Sequence, residues 1–241
     1  YLSGFTGCDR NFVWTISVAL AVLASPAIAA TNIIDSTYGI GAGSFELGSF
    51  TARGPENYNN FQSLLPTATN LTGWTIGGVG VDWLAAPYYA ASDGVHAVDL
   101  GYYDAGAGTI STSIATIVGA TYNLSFSAAA VPGFSSYTNA GHVNAGSLVA
   151  AFAPAFSAPY DFTNQIYTDY SFNFVAQGAT TSIVFAADNA GTAYGPVIDN
   201  VSASFVSAPN GVPEPKAWAM FISGFGLIGA VARRKRLAQF A

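Results

Sequence analysis

Between Thr31 and Val206 the apolar residues recur with a period of two, in short runs bounded by Gly, Asn, Asp and Pro. That period sends alternate side chains to opposite faces of a strand, so each run has one face to bury. Tyr122, Leu124, Phe126 and Ala128 point one way, while Thr121, Asn123, Ser125 and Ser127 point the other. Tyr170, Phe172 and Phe174 alternate with Ser171 and Asn173, and Ile183 and Phe185 follow the same rule. Further strands are expected at Leu71–Ile76, Val79–Leu84, His96–Leu100, Thr109–Thr116, Ser147–Phe152 and Val197–Phe205. No stretch here has a convincing helical period. The expected fold is all-β, an antiparallel jelly-roll sandwich of two sheets.

The two ends of the chain break this pattern. Phe12 to Ala24 is apolar and is followed by Pro26 and the small-residue sequence Ala27-Ile28-Ala29, which reads as a secretory signal helix over residues 1–30. Arg10 is the only basic residue ahead of it. Ala217 to Ala232 is a second apolar run, closed by Arg233, Arg234, Lys235 and Arg236. A helix over it spans roughly 24 Å, long enough to cross a bilayer if the arginines snorkel. Positive charge favours the cytoplasmic side, whereas the leader sends the middle outward, so both ends give one topology. The expected organisation is a signal peptide (1–30), an exported β domain (31–206), a linker (207–215), a transmembrane segment with a basic end (216–236) and a cytoplasmic tail (237–241).

Charge excludes one class of partner. From Thr31 to Val212 there is one basic residue, Arg53, against eleven acidic ones, a net charge of −10. A nucleic-acid surface needs clustered Lys and Arg, so nucleic acid is not a partner. Cys8 is the only cysteine and precedes the exported region, which therefore holds no internal disulfide and no thiol site.

Pro213-Glu214-Pro215, followed by Trp218, then Gly224 and Gly226, then Arg233, Arg234 and Arg236, closely resembles the PEP-CTERM sorting signal over about the last 30 residues. The resemblance implies export by way of signal peptidase, transient anchoring in the inner membrane and processing by an exosortase, before delivery to the cell surface or extracellular matrix. An ordinary tail anchor is the alternative. A second resemblance runs through Gly43-Ser44-Phe45-Glu46, Gly73-Trp74-Thr75, Val81-Asp82-Trp83, Val98-Asp99-Leu100, Tyr122 to Phe126 and Tyr194 to Val201. This order is similar to the choice-of-anchor C family, itself similar to the DUF642 group of galactose-binding-like jelly rolls. It implies a non-catalytic surface domain in contact with polysaccharide.

Several residues are candidates for a site. Glu46 and Asp199 offer hard oxygen ligands that suit a structural Ca²⁺; alternatively Glu46 caps a turn and Asp199 bonds its own loop. Tyr88-Tyr89 and Tyr102-Tyr103 lie in expected loops, where at least one ring of each pair should be exposed and available to a sugar. Trp74 and Trp83 have strand spacing and belong in the core. An enzyme is not expected. Asp82, Asp93, Asp99 and Asp104 are numerous, yet no HExxH or GxSxG pattern accompanies His96 or His142. Three functions stay open: a polysaccharide-contacting module, a self-associating structural or adhesive protein with no glycan ligand, and a glycan-active enzyme.

Overall fold

A computed structural model describes residues 31–55, 58–103, 106–131, 139–156, 161–188, 193–209, 220 and 222–225. A short helix, α1 (Ile33–Tyr38), precedes β1 (Phe61–Leu64), β2 (Thr75–Gly78), β3 (Val81–Ala85), β4 (His96–Asp99), β5 (Gly101–Tyr102) and β6 (Gly106–Ala115). Next come β7 (Thr121–Ala129), β8 (Gly141–Ala145), β9 (Leu148–Phe152), β10 (Tyr167–Val175), β11 (Thr180–Ala187) and β12 (Val197–Ser207). All pairings among them are antiparallel. The first sheet has the order β1-β3-β4-β12-β7-β10 and the second β2-β6-β11-β8-β9, with β5 paired to β6. The all-β antiparallel sandwich is as the alternation predicts.

The core lies between the sheets and is filled from the positions that the period of two selects. Phe126 on β7 meets Phe185 on β11 at 4.9 Å, Phe152 on β9 at 5.1 Å and Tyr170 on β10 at 5.3 Å, ring centre to ring centre. Edge-to-face and offset pairs of this kind add to the area they bury. Trp74 and Trp83 are both core residues. Their Nε1–H groups donate to the Ala42 and Phe45 carbonyls at 2.8 and 3.1 Å, which tie the loop after α1 onto the sandwich.

The differences from expectation are local. The strand expected at Leu71–Ile76 forms at Thr75–Gly78, because Leu71 and Gly73 are taken by a turn in which Gly73 has φ +82° against the Tyr38 ring. α1 has fewer than two turns, too short to show a period. It is held by Asn32, whose Oδ1 accepts from the Ile34 and Ala203 N–H groups and whose Nδ2 donates to Val201 O. The alternation does not predict β1, β5 or β8, and β5 puts Tyr102, expected in a loop, in a two-residue strand paired with β6. The leader, the Pro213–Pro215 motif, Trp218, Gly226 and the basic cluster lie outside the described residues. Gly224 falls in the helical piece 222–225 and touches nothing within 4 Å. Among the described residues no helix is long and apolar enough to cross a membrane.

Candidate functional site

β3 is buried at all five positions, which a strand with one wet face is not. Val81 and Trp83 enter the sandwich core, so Asp82 and Leu84 must project from the opposite, outer face of the first sheet. The register sets Asp82 beside Asp99 and Leu84 beside Ala97 on β4, with Phe61 of β1 beside Leu84 and Ser63 beside Asp82. Val197 and Ala129 continue the row across β12 and β7. A second apolar cluster therefore forms outside the sandwich, from Phe61, Leu84, Ala97, Ala129, Val131 and Val197 with Tyr89. Two segments roof it. Ala90 N–H donates to Phe162 O at 2.8 Å, and the Tyr167 hydroxyl donates to Ala90 O at 3.0 Å.

A small cleft opens where this roof stops. Its walls are Phe61, Tyr88, Tyr89, Tyr103, Phe162 and Tyr194, and Asp82 and Asp99 also line it. Phe61 lies 5.5 Å from Tyr103 and 6.3 Å from Tyr88, and Phe162 lies 5.4 Å from Tyr88 and 5.2 Å from Tyr89. The Arg53 guanidinium sits over the Tyr103 ring at 4.4 Å and 5.7 Å from Phe61. The single basic side chain of the β domain is thus stationed at the mouth of an aromatic cleft, where a cation gains from the ring faces.

The two aspartates are pinned. Ser63 Oγ donates to Asp82 Oδ1 at 2.6 Å. Asp99 Oδ1 accepts from the Gly101 and Gly195 N–H groups at 2.7 and 2.9 Å. Those two glycines almost touch: a Cβ on Gly195 would lie 2.5 Å from Gly101 N, so only glycine lets Tyr194 approach the cleft this closely. Burial first, and the neighbouring Asp82 charge second, push Asp99 well above the ordinary carboxylate range, against the two N–H donors. Burial likewise raises the Tyr167 hydroxyl, with the Asp199 and Asp99 charges adding to the effect. Asp99 therefore carries a proton under conditions in which a free aspartate has lost it, and can donate as well as accept.

Glu46 and Asp199 act on one loop from two sides. Asp199 Oδ2 accepts from Ser92 and Asp93 N–H at 2.6 and 2.8 Å, and its Oδ1 accepts from Asn200 N–H at 2.6 Å. Glu46 Oε1 accepts from Val95 and His96 N–H at 2.7 and 2.8 Å, while its Oε2 meets His96 Nδ1 at 2.8 Å. Burial pushes Asp199 up to about 7 in spite of its three donors. All four carboxylate oxygens face hydrogen-bond donors, whose positive ends would confront a cation. Among the described residues no three acidic or histidine side chains gather as a metal site. The pair fits loop bracing and does not fit a shared calcium ion. His142 Nδ1 is bonded to Asp188 Oδ1 at 2.6 Å, so both histidines have carboxylate partners.

Of the four candidate tyrosines, three line the cleft. Tyr88 and Tyr89 both pack against Phe162, although adjacent rings were expected to diverge, because the outer cluster gives the second ring an apolar surface of its own. Tyr89 is buried and Tyr88 half-buried, whereas Tyr103 is 42% exposed. Tyr102 does not line the cleft and lies over Gly80. Phe61, Phe162, Tyr194 and Arg53 were missed as site residues. For Arg53 a signal existed, since it is the sole basic residue in an acidic domain.

Residues 40–204 match the family described as "Protein of unknown function (DUF642)". No curated protein matches the chain. Among solved structures, TmCBM61 in complex with β-1,4-galactotriose is similar at 13% identity and a TM-score of 0.41, over 70% of this chain and 98% of that one. The family 35 carbohydrate-binding module from Clostridium thermocellum gives 13% and 0.36, over 61% and 98%. The K2 cleaved adhesin domain of Lys-gingipain gives 12% and 0.39, over the same shares. Likeness at this level is too slight to carry a ligand across.

Proposed function

We propose that this chain, which belongs to the DUF642 family, is an exported, non-catalytic surface protein that holds polysaccharide in the cleft between Tyr88 and Tyr103. The observation that carries the reading is the meeting of aromatic faces with paired carboxyl groups in one cleft, open to solvent at Tyr103. A sugar ring has an apolar face that stacks on an aromatic ring and a rim of hydroxyls that need both donors and acceptors. Asp82 would accept from such hydroxyls, while Asp99, which burial favours in its protonated form, and Arg53 would donate to them. Mostly apolar walls with few polar groups are the usual make-up of a small-ligand site.

Delivery follows from the ends. In this reading signal peptidase removes residues 1–30, the apolar run holds the chain briefly in the inner membrane, and an exosortase acts at Pro213-Glu214-Pro215 before the domain reaches the surface or matrix. The choice-of-anchor C resemblance supports the same route. Replacing the three motif residues by alanine should leave an uncleaved inner-membrane form, and normal surface delivery of that variant would refute the sorting assignment.

The binding test is a panel of extracellular polysaccharides presented to wild type, Tyr88→Ala/Tyr103→Ala and Tyr102→Ala. Saturable binding that is lost in the double variant and kept in Tyr102→Ala is expected. No binding by folded wild type would shift the role to self-association.

The carboxyl pair favours a second reading, as a glycan-active enzyme. The register sets Asp82 directly opposite Asp99, and retaining glycoside cleavage uses two carboxyl groups about 5 Å apart. Reducing ends accumulating on a bound glycan, and abolished in Asp99→Asn, would establish it. Binding without release supports the non-catalytic role.

A further inference from the structure

Among the described residues, the turns at one end of the sandwich carry no charged side chain. The β6–β7 turn, the β8–β9 turn, the β10–β11 turn and the end of β12 meet there. Gly119 N–H donates to Ala176 O, Thr116 N–H to Ala179 O and Ser147 N–H to Val175 O. The register places Val175 and Ser207 on either side of Thr121. Segments 114–121, 144–149, 174–181 and 203–209 contain no Asp, Glu, Lys, Arg or His. Ile117, Val118, Val175, Phe205 and Val206 are nevertheless 41–58% exposed there. Exposed apolar residues gathered at one place mark a contact surface more often than chance.

Asp169 and Asp199 lie toward the other end. Asp169 is six residues from Val175 on β10, and Asp199 is six from Phe205 on β12. At about 3.3 Å per residue that is roughly 20 Å up the sheet. The last residue of the body, Pro209, is at the apolar end, where a Cβ on Gly119 would lie 3.3 Å from Pro209 Cβ. Seven residues then separate it from the apolar run Ala217–Ala232. Fully extended, they reach about 25 Å at most.

We propose that this apolar, uncharged end is the membrane-apposed face of the domain, and that while residues 217–232 are in the bilayer Ile117, Val118, Phe205 and Val206 rest in its interfacial layer. This holds the Tyr88–Tyr103 cleft at the far side, facing outward. A domain of net charge −10 is repelled by anionic headgroups wherever its acidic residues face them, and the segments that form this end contain none. Short apolar side chains entering the headgroup region add a modest attraction that the tether turns into a fixed orientation. The inference rests on the anchoring reading and is independent of any glycan.

The test uses the full chain, with Cys8 replaced by serine, in vesicles of phosphatidylethanolamine and phosphatidylglycerol. A polarity-sensitive fluorophore is placed on Val118→Cys, Phe205→Cys or, as an equally apolar exposed control, Val95→Cys. Brominated lipids should quench the first two and spare the third. Ile117→Ser/Val118→Ser, a surface change that leaves the core intact, should reduce quenching of the label at 205. Vesicle-bound protein with all three labels unquenched overturns the orientation alone. A blue shift at 118 that needs high protein density and ignores brominated lipid assigns the face to a second copy and overturns it also. Protein that does not float with the vesicles overturns the anchoring and the orientation with it.

Discussion

Replacing Asp99 with asparagine should change how stability depends on pH. In the folded protein Asp99 is held well above the usual carboxylate range and Asp199 at about 7, both chiefly by burial. In the unfolded chain each titrates near 3.8. A raised folded value means that the folded state keeps a proton that the unfolded state releases, so the stabilisation is complete below about pH 4 and is lost as pH rises toward the folded value. Each such group contributes a slope of about −1.4 kcal/mol per pH unit between its two values. Between pH 5 and 6 Asp199 is in that window and by itself should cost the wild type about 1.4 kcal/mol, and Asp99 adds to the loss in the same direction. Asparagine keeps an Oδ1 acceptor for the Gly101 and Gly195 N–H groups but has no proton to lose. Asp99→Asn should therefore show a shallower slope than the wild type and gain on it as pH rises. Urea unfolding at half-unit pH intervals measures this directly. Identical slopes in the two proteins, or a wild type whose stability is flat over that range, would refute a buried, protonated Asp99.

Gly195→Ala puts a Cβ 2.5 Å from Gly101 N; it should cost about 1–3 kcal/mol in thermal unfolding and weaken any cleft ligand by displacing Tyr194, whereas an unchanged melting curve would show that the two backbones can part freely. Trp83→Phe removes the Nε1–H donor to Phe45 O, leaves a buried acceptor unmet, and should lower stability by about 1–3 kcal/mol in chemical denaturation. Asp199→Ala at pH 8 orphans three N–H groups and should lower the melting temperature, while a calcium chelator leaves the wild type unmoved; a drop with chelator matching that of the variant would put calcium back in the loop.

The strands that carry the core were legible because a period of two is a local property. The backbone of β7, β10 and β11 turns alternate side chains to opposite sides whatever lies beyond, so Leu124, Phe126, Phe174, Ile183 and Phe185 could be assigned to the core from their spacing alone. The burial of Trp74 and Trp83 followed from spacing in the same way. The short helix α1 was not legible, since six residues held by Asn32 through contacts with Val201 and Ala203 have no period to read. Nor was β1, whose sequence Phe61–Leu64 joins the sheet through β3 and has no strong alternation of its own.

What the tertiary structure alone decided is the site. Alternation places Asp82 and Leu84 on the outer face of β3, but whether that face meets water depends on segments distant in sequence. The strand order β3-β4-β12-β7 sets Asp82 and Asp99 side by side and extends the apolar row to Ala129. Residues 86–91 and 161–167 then cover part of it, which brings Phe162 to Tyr88 and Tyr89 and leaves Tyr102 elsewhere. Side-chain direction is set by each residue's own backbone, whereas the partner across a face is set by the path of the whole chain. The sequence by itself therefore determined an acidic β-sandwich with candidate tyrosines, and only the crossing of its strands turned three of them, with two aspartates and one arginine, into a cleft.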